Sequence, residues 1–296
     1  GVGGQGIGAA EGAYQHALFY ARERKQGRST IADATGTILD HADVRRMLLT
    51  MKADIFAARA IALANAVAID LSSATEDPAW QARAALLTPI TKAFGTDVGI
   101  AVAEMGVQVH GGMGFIEETG AAQHYRDSRI LPIYEGTTAI QANDLVFRKT
   151  IRDNGAAVNS LLDEIDSEMT ALMNHQNSEI VSAAENIVEA NNTARNVAAH
   201  ILGGANTPRR PATSGSNYLM LLGTLCGGWL MARSGAAAAD ALAKGENGAA
   251  GNDDFMTIKL TTMQIYMTHH LPKISSLART ITDGDGAALA MQPDWL

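Results

Sequence analysis

A chain of 296 residues in which 47% are apolar has ample material for a buried core. Its net charge of -8, with Lys and Arg scattered along the sequence, argues against nucleic acid or an anionic membrane as the main partner. A single cysteine, Cys226, excludes an intramolecular disulfide framework and suggests a reducing compartment, although many secreted bacterial proteins also lack disulfides; the expected setting is the bacterial cytoplasm.

Alanine and leucine abound, aromatics are 5%, and alternating patterns are scarce, so an all-α fold is predicted. The opening "GVGGQGIGAAEGAYQHA" has neither the basic start nor the apolar run of a signal peptide, and its glycine-rich beginning without Met reads as part of something longer. A first helix is expected from about 8 to 25, ending in "ARERKQGR" with Gly27 as its stop. From Asp43 to Ala68, Val44, Leu48, Met51, Ile55, Ala58 and Ala62 recur at spacings of three and four, one core-facing stripe of a long helix. "SSATEDP" reads as a turn, and a second long helix runs from about Ala79 to Val109, ended by Gly111 and Gly112. Residues 113–137 read as irregular. A helix then starts at Thr138, paired with Gln141 in a capping-box pattern, and continues to about Arg152.

Asn154-Gly155 marks a boundary, after which helices are expected near 156–174, 178–202, 216–244 and 254–282. "LGGANTPRRPATSGS" and "KGENGAAGND" read as loops. The run Tyr218 to Ala232 falls short of the roughly 20 residues of a membrane span and reads as a buried helix, so no membrane span is expected. The predicted architecture is an antiparallel four-helix bundle over 1–152 followed by a helical extension over 153–296.

Three stretches could carry chemistry. Glu135, in "RILPIYEGTTAIQ", lies just before a helix start, where the dipole and unpaired N–H groups suit a negative charge; it is a candidate base or a solvated loop carboxylate. Gly136 beside it would allow close approach of a ligand. In "MGVQVHGGMGF", Gly111 and Gly112 permit contact with a flat cofactor or a phosphate, or simply end a helix, and His110 is a ligand, an acid or a cap. Arg22, Arg24, Lys25 and Arg28 either oppose a helix dipole or bind pyrophosphate. Cys226 should be inert, His269-His270 has no nearby acidic ligand set, and no spacing resembles a metal site.

In this order, "YARERKQGR", two long helices, "VQVHGGMGF" and "YRDSRILPIYEGTTAIQ" resemble the C-terminal helical domain of the acyl-CoA dehydrogenase family. "AIQANDLVFRKTIRDNG" and "YMTHHLPKISSLA" resemble a longer-chain subgroup, extending the likeness over nearly the whole chain. The resemblance implies that Glu135 removes the pro-R α-proton of an acyl-CoA while the β-hydrogen leaves as hydride to FAD, giving a trans-2-enoyl-CoA. The enolate oxygen would be held by the Glu135 N–H and a flavin ribityl hydroxyl. Tyr134, Glu135 and Gly136 would contact substrate, and Thr137 the cofactor. Arg24 would meet the FAD pyrophosphate of a neighbouring subunit, with Gln108, Gly111 and Gly112 near the adenosine. Implied partners are an electron-transfer flavoprotein and further copies of the chain, as homodimer or homotetramer, with no metal. Gln26-Gly27 stand where the family usually has an aromatic residue. The family's N-terminal and middle β-domains are not in this sequence, so these residues alone are not expected to turn over. An oligomerisation bundle and a flavin oxidase are the alternative readings.

Overall fold

The structure, a computed structural model, describes residues 1–31, 33–207, 209–249, 252–284 and 286–295. Helices α1 (Val2–Glu23), α2 (Ala42–Thr75) and α3 (Pro78–His110) are followed by the short α4 (Gly112–Phe115), α5 (Ala121–Ser128) and α6 (Thr138–Asn143). From Asp144 to Ile151 the backbone widens to a π-helical pattern. Then come α7 (Ala156–Leu172), α8 (Ser178–Gly203), α9 (Arg209–Ala243), α10 (Phe255–His269), α11 (Lys273–Gly284) and α12 (Ala287–Ala290). Among the described residues no strand occurs, only isolated bridges at Lys25–Thr37 and Ala249–Asn252, and the all-α expectation holds.

Backbone contact explains the glycines that open α1. A Cβ on Gly3 would fall 2.4 Å from the Thr91 carbonyl oxygen, and one on Gly6 would fall 2.2 Å from that of Gly95. In return, Cβ atoms on Gly95 and Gly99 would meet the Gly3 and Gly6 carbonyls at 2.8 and 2.9 Å. The two helices therefore run side by side with backbones touching. Contacts climb from Gly3 beside Thr91 to Tyr20 stacked on His110, so α1 and α3 are parallel. α2, between them in sequence, runs antiparallel to both: Glu76 takes a left-handed φ of 55°, and the Asp77 carboxylate caps α3 by accepting from Ala79 N–H at 2.8 Å.

The stripe of α2 faces the core, with Met51 and Ile55 buried and Val44 and Ala62 half-buried. α2 is long and apolar enough to cross a membrane by length and composition, with a mean hydropathy of 1.6 in its most apolar window; a third of that window is buried in the bundle. Leu63, Val67 and Ile69 are exposed on it. α9 is the hub of the second half: Tyr218, Leu219, Leu221, Leu222, Leu225 and Cys226 are wholly buried. Its Gly227 leaves room for Tyr266, whose hydroxyl donates to the Thr224 carbonyl at 3.1 Å. One continuous apolar cluster runs from Ile7 to Ile281.

Several boundaries differ from the sequence expectation. α1 stops at Glu23, short of the expected end near Lys25, because Arg24 turns extended and its carbonyl accepts the Ile38 N–H at 2.8 Å, drawing the chain into a loop. Gly27, with φ 75°, bends that loop. α2 continues into "SSATEDP", as far as Thr75. The stretch 113–137 contains α5 and is less irregular than expected. Most of "PRRPATSGS" is the first turns of α9; Pro211 fits there because the opening residues of a helix have no intrahelical partner for their N–H groups. The single helix expected over 254–282 is two helices, since Pro272 cannot donate the bond that would carry α10 into α11. Pro208, Ala250 and Gly251 of the two expected loops lie outside the described residues.

Candidate active site

Glu135 sits on a buried-rooted loop. Leu131 and Pro132 are packed inside while Glu135 is exposed. Consecutive residues Glu135 (φ 55°) and Gly136 (φ 87°) are both left-handed. Glycine takes that conformation freely, whereas a side chain with a Cβ pays about 1–2 kcal/mol for it. The strain is over-determined by the loop's ties: Thr138 N–H donates to the Pro132 carbonyl at 3.0 Å and Tyr134 N–H to the Ile130 carbonyl at 3.2 Å. The Tyr134 hydroxyl donates to Gln5 Oε1 of α1. Most central is Lys92 of α3, buried, whose Nζ donates to the carbonyls of Leu131 (3.1 Å) and Gly136 (2.7 Å), on either side of Glu135. Each such charge-assisted bond contributes about 1.5–3 kcal/mol, enough to offset the strain. Burial pulls the Lys92 ammonium below the ordinary lysine range, opposed by the carboxylates of Asp97 and Glu135. The Glu135 N–H donates to no described residue.

The helix that follows is capped by Thr137, whose hydroxyl accepts the Ile140 N–H at 3.3 Å, one position earlier than the Thr138 capping box expected. Gln141 lies instead over Gly136: a Cβ there would meet Gln141 Nε2 at 2.9 Å.

A second cluster forms where α1 and α3 end. Tyr20, Arg24, Gln26, Ile38, Val109, His110, Gly111, Gly112 and Met113 line a cleft of about 370 Å³. Gly111 ends α3 at φ 60°, and neither it nor Gly112 has an atom within 4 Å of where a Cβ would stand, so a ligand could lie against the backbone. Gln108 is exposed and its carbonyl accepts the Gly111 N–H, placing it beside the cleft but outside its lining. The exposed Arg24 guanidinium has no carboxylate partner among the described residues. His110 is buried and bonds the last turn of its own helix, the helix-end role of the cap reading. Its Nδ1 donates to the Gly106 carbonyl at 2.7 Å, leaving Nε2 as a buried acceptor with no partner, and burial lowers its basicity. An unclaimed cation, an unpaired acceptor and an open glycine corner fit the phosphate and ring of a nucleotide-like group.

The two clusters stand apart. One adjoins Gln5 and Lys92, the other Tyr20 and His110, so about 17 residues of parallel helix, roughly 25 Å, separate them. Tyr134, Glu135, Gly136 and Thr137 are brought together, as are Arg24, Gly111 and Gly112, but not the two sets with each other.

Two features escaped the sequence. Lys92 gave no signal, since a lone lysine inside an apolar helix pattern looks like a solvated charge. The pair His269-His270, read as lacking an acidic neighbour, has one: Asp54 of α2 places Oδ1 3.0 Å from His270 Nδ1. Burial raises Asp54 to about 7 and lowers His270 to about 3. The pair borders a cleft of about 440 Å³ that also includes Asp97, Tyr266 and Lys273. Among the described residues no cluster could hold a metal ion, and Cys226 is buried with its thiol pushed up to about 12.

The profile "Acyl-CoA dehydrogenase, C-terminal domain" matches residues 1–149, and "Acetyl-CoA dehydrogenase C-terminal like" matches 161–292. 3-Methylmercaptopropionyl-CoA dehydrogenase of Ruegeria pomeroyi is 43% identical over 98% of this chain and 49% of its own length. The chain spans about half the length of the curated relatives it matches over its whole extent. The fold is shared with Caenorhabditis elegans ACDH-11 in complex with C11-CoA (TM-score 0.72, 16% identity, 95% of this chain and 45% of that one). It is also shared with an acyl-CoA dehydrogenase complexed with FAD from Bacillus anthracis (TM-score 0.64, 18% identity, 98% and 50%).

Proposed function

The chain belongs to the acyl-CoA dehydrogenase family, and from that membership we propose that it is the C-terminal part of an enzyme that removes the α and β hydrogens of an acyl-CoA, with Glu135 as base. The observation that carries the reading is the loop: a lone exposed carboxylate held in a strained left-handed turn, beside its own unpaired N–H and braced by a buried ammonium. Strain kept in place by surrounding bonds is characteristic of working sites.

In the proposed reaction the Glu135 carboxylate takes the proton from Cα, and the Cα–H bonding electrons form the new double bond as hydride departs from Cβ. FAD, when bound, supplies the two-electron acceptor for that hydride. An α-proton is too weakly acidic for a carboxylate unaided, and the Glu135 N–H would serve as a donor to the thioester oxygen as negative charge develops there. Tyr134 and Gly136, which flank the base, would be substrate contacts, and Thr137, at the helix start, would contact the cofactor. Arg24, with Gly111, Gly112 and Gln108, would hold the pyrophosphate and adenosine part. The separation of about 25 Å between the two clusters supports the arrangement in which Arg24 serves the cofactor of a neighbouring copy, and hence a homodimer or homotetramer. Residues 1–152 are the unit bearing both clusters and 153–296 a helical extension. The setting is the bacterial cytoplasm and the acceptor an electron-transfer flavoprotein.

The test is to purify the full-length gene product, assay reduction of an artificial acceptor with a range of acyl-CoAs, and identify the enoyl-CoA product. Acceptor reduction with enoyl-CoA formation supports the reading. Turnover only with oxygen and release of peroxide favours an oxidase, and absence of flavin and turnover leaves the chain an assembly module.

A further inference from the structure

We propose that Lys92 is a positioning residue for this reaction: by bonding the carbonyls on both sides of Glu135, its ammonium holds the base in the turn from which it reaches Cα. The inference rests on Glu135 being the base. Lys92 comes from α3, 43 residues earlier in the chain, and its side chain is almost fully enclosed. A buried ammonium would ordinarily seek a carboxylate, and two stand nearby, Asp97 and Glu135. Its bonds go instead to main-chain oxygens, those of Leu131 at 3.1 Å and Gly136 at 2.7 Å. Leu131 lies four residues before Glu135 and Gly136 directly after it, so the two bonds bracket the strained residue. Among the described residues these are the hydrogen bonds from α3 to the loop, and without them Glu135 is freer to relax to an ordinary φ, which would swing both its carboxylate and its N–H. Lysine suits the task because three rotatable donors on one nitrogen can satisfy two carbonyls facing different ways.

The consequence is a specific kinetic pattern. A base displaced by about 1 Å loses about 10- to 100-fold in rate while the acyl-CoA, held mainly elsewhere, binds nearly as before. In the full-length flavin-loaded enzyme, Lys92→Met, which keeps the length and loses the donors, is expected to lower kcat about 10- to 100-fold with KM little changed and flavin retained. Lys92→Gln, which keeps one donor group, should fall between. Hydrogen exchange read on the same proteins should show the amides of 133–137 exchanging faster in Lys92→Met and the rest of α1 and α3 unchanged. Unchanged exchange over 133–137, or faster exchange throughout the bundle, overturns the proposal, as does kcat retained in both variants. Glu135→Gln run alongside separates the two claims: if that variant turns over normally the base assignment is wrong, while the exchange pattern of Lys92→Met still decides whether the loop is tied by the ammonium.

Discussion

Gly6→Ala is expected to destabilise the chain, although the substitution improves helix propensity. The added methyl would fall 2.2 Å from the Gly95 carbonyl oxygen, 2.6 Å from its carbon and 2.8 Å from the Thr96 Cα, all backbone atoms. No rotamer change relieves that, so α1 and α3 must move apart by about 1 Å along a seam that also includes Gly3 and Gly99. Overpacking of this kind costs about 1–3 kcal/mol, and more when two helices must shift, against about 1 kcal/mol gained by replacing a helical glycine. The net is a loss of up to about 2 kcal/mol, and more where both helices shift. Gly8, two residues on, is the internal control: it is exposed and an added methyl would meet nothing within 4 Å, so Gly8→Ala should gain about 0.5–1 kcal/mol. Urea unfolding followed by circular dichroism measures both. Equal shifts of the same sign would refute the backbone-to-backbone seam, and with it the alignment that places Gln5 and Lys92 at one end and Arg24 and Gly111 at the other.

Asp54, raised to about 7 by burial, holds a proton between about pH 4 and 7 that the unfolded chain releases, so its contribution to stability falls as pH rises through that window. His270, lowered to about 3, acts oppositely from about pH 3 to 6.5. Asp54→Asn should therefore match the parent in urea midpoint near pH 4 and exceed it increasingly toward pH 7; a difference that stays flat or reverses would mean that Asp54 and His270 form an ion pair. Arg24→Ala should weaken FAD binding about 10- to 100-fold, the loss of a charge-assisted phosphate contact, with thermal stability of the flavin-free protein within about 0.5 kcal/mol because the side chain is exposed and has no carboxylate partner among the described residues. Flavin titration by fluorescence checks the first and a melting scan the second.

The long helices were legible in the sequence because their apolar residues recur without interruption, and the largely buried run in α9 was visible as length short of a membrane span. The break at Pro272 was legible in principle, since proline cannot donate to a continuing helix, but the flanking apolar pattern outweighed it. The first turns of α9 were hidden by a Pro-, Ser- and Gly-rich composition that also suits loops. On local spacing Arg24 and Gly111 read equally well as helix-end residues or as cofactor contacts, and the resemblance alone joined them; the parallel α1–α3 pairing brings them to one cleft. The glycines that produce this pairing were visible as a cost to helix formation, not as a contact surface, because the partner backbone is far away in sequence. For the same reason neither Lys92 beneath the Glu135 loop nor Asp54 beside His270 could be read from local spacing.

The central claim is that Glu135 takes the α-proton. Rapid mixing of the full-length flavin-loaded Glu135→Gln variant with an acyl-CoA substrate, following bleaching of the flavin in a single turnover, tests it without interference from the electron acceptor. The account predicts that the variant binds the acyl-CoA, seen as a perturbed flavin spectrum, and that its bleaching slows by several orders of magnitude. Bleaching at the parent rate would contradict it.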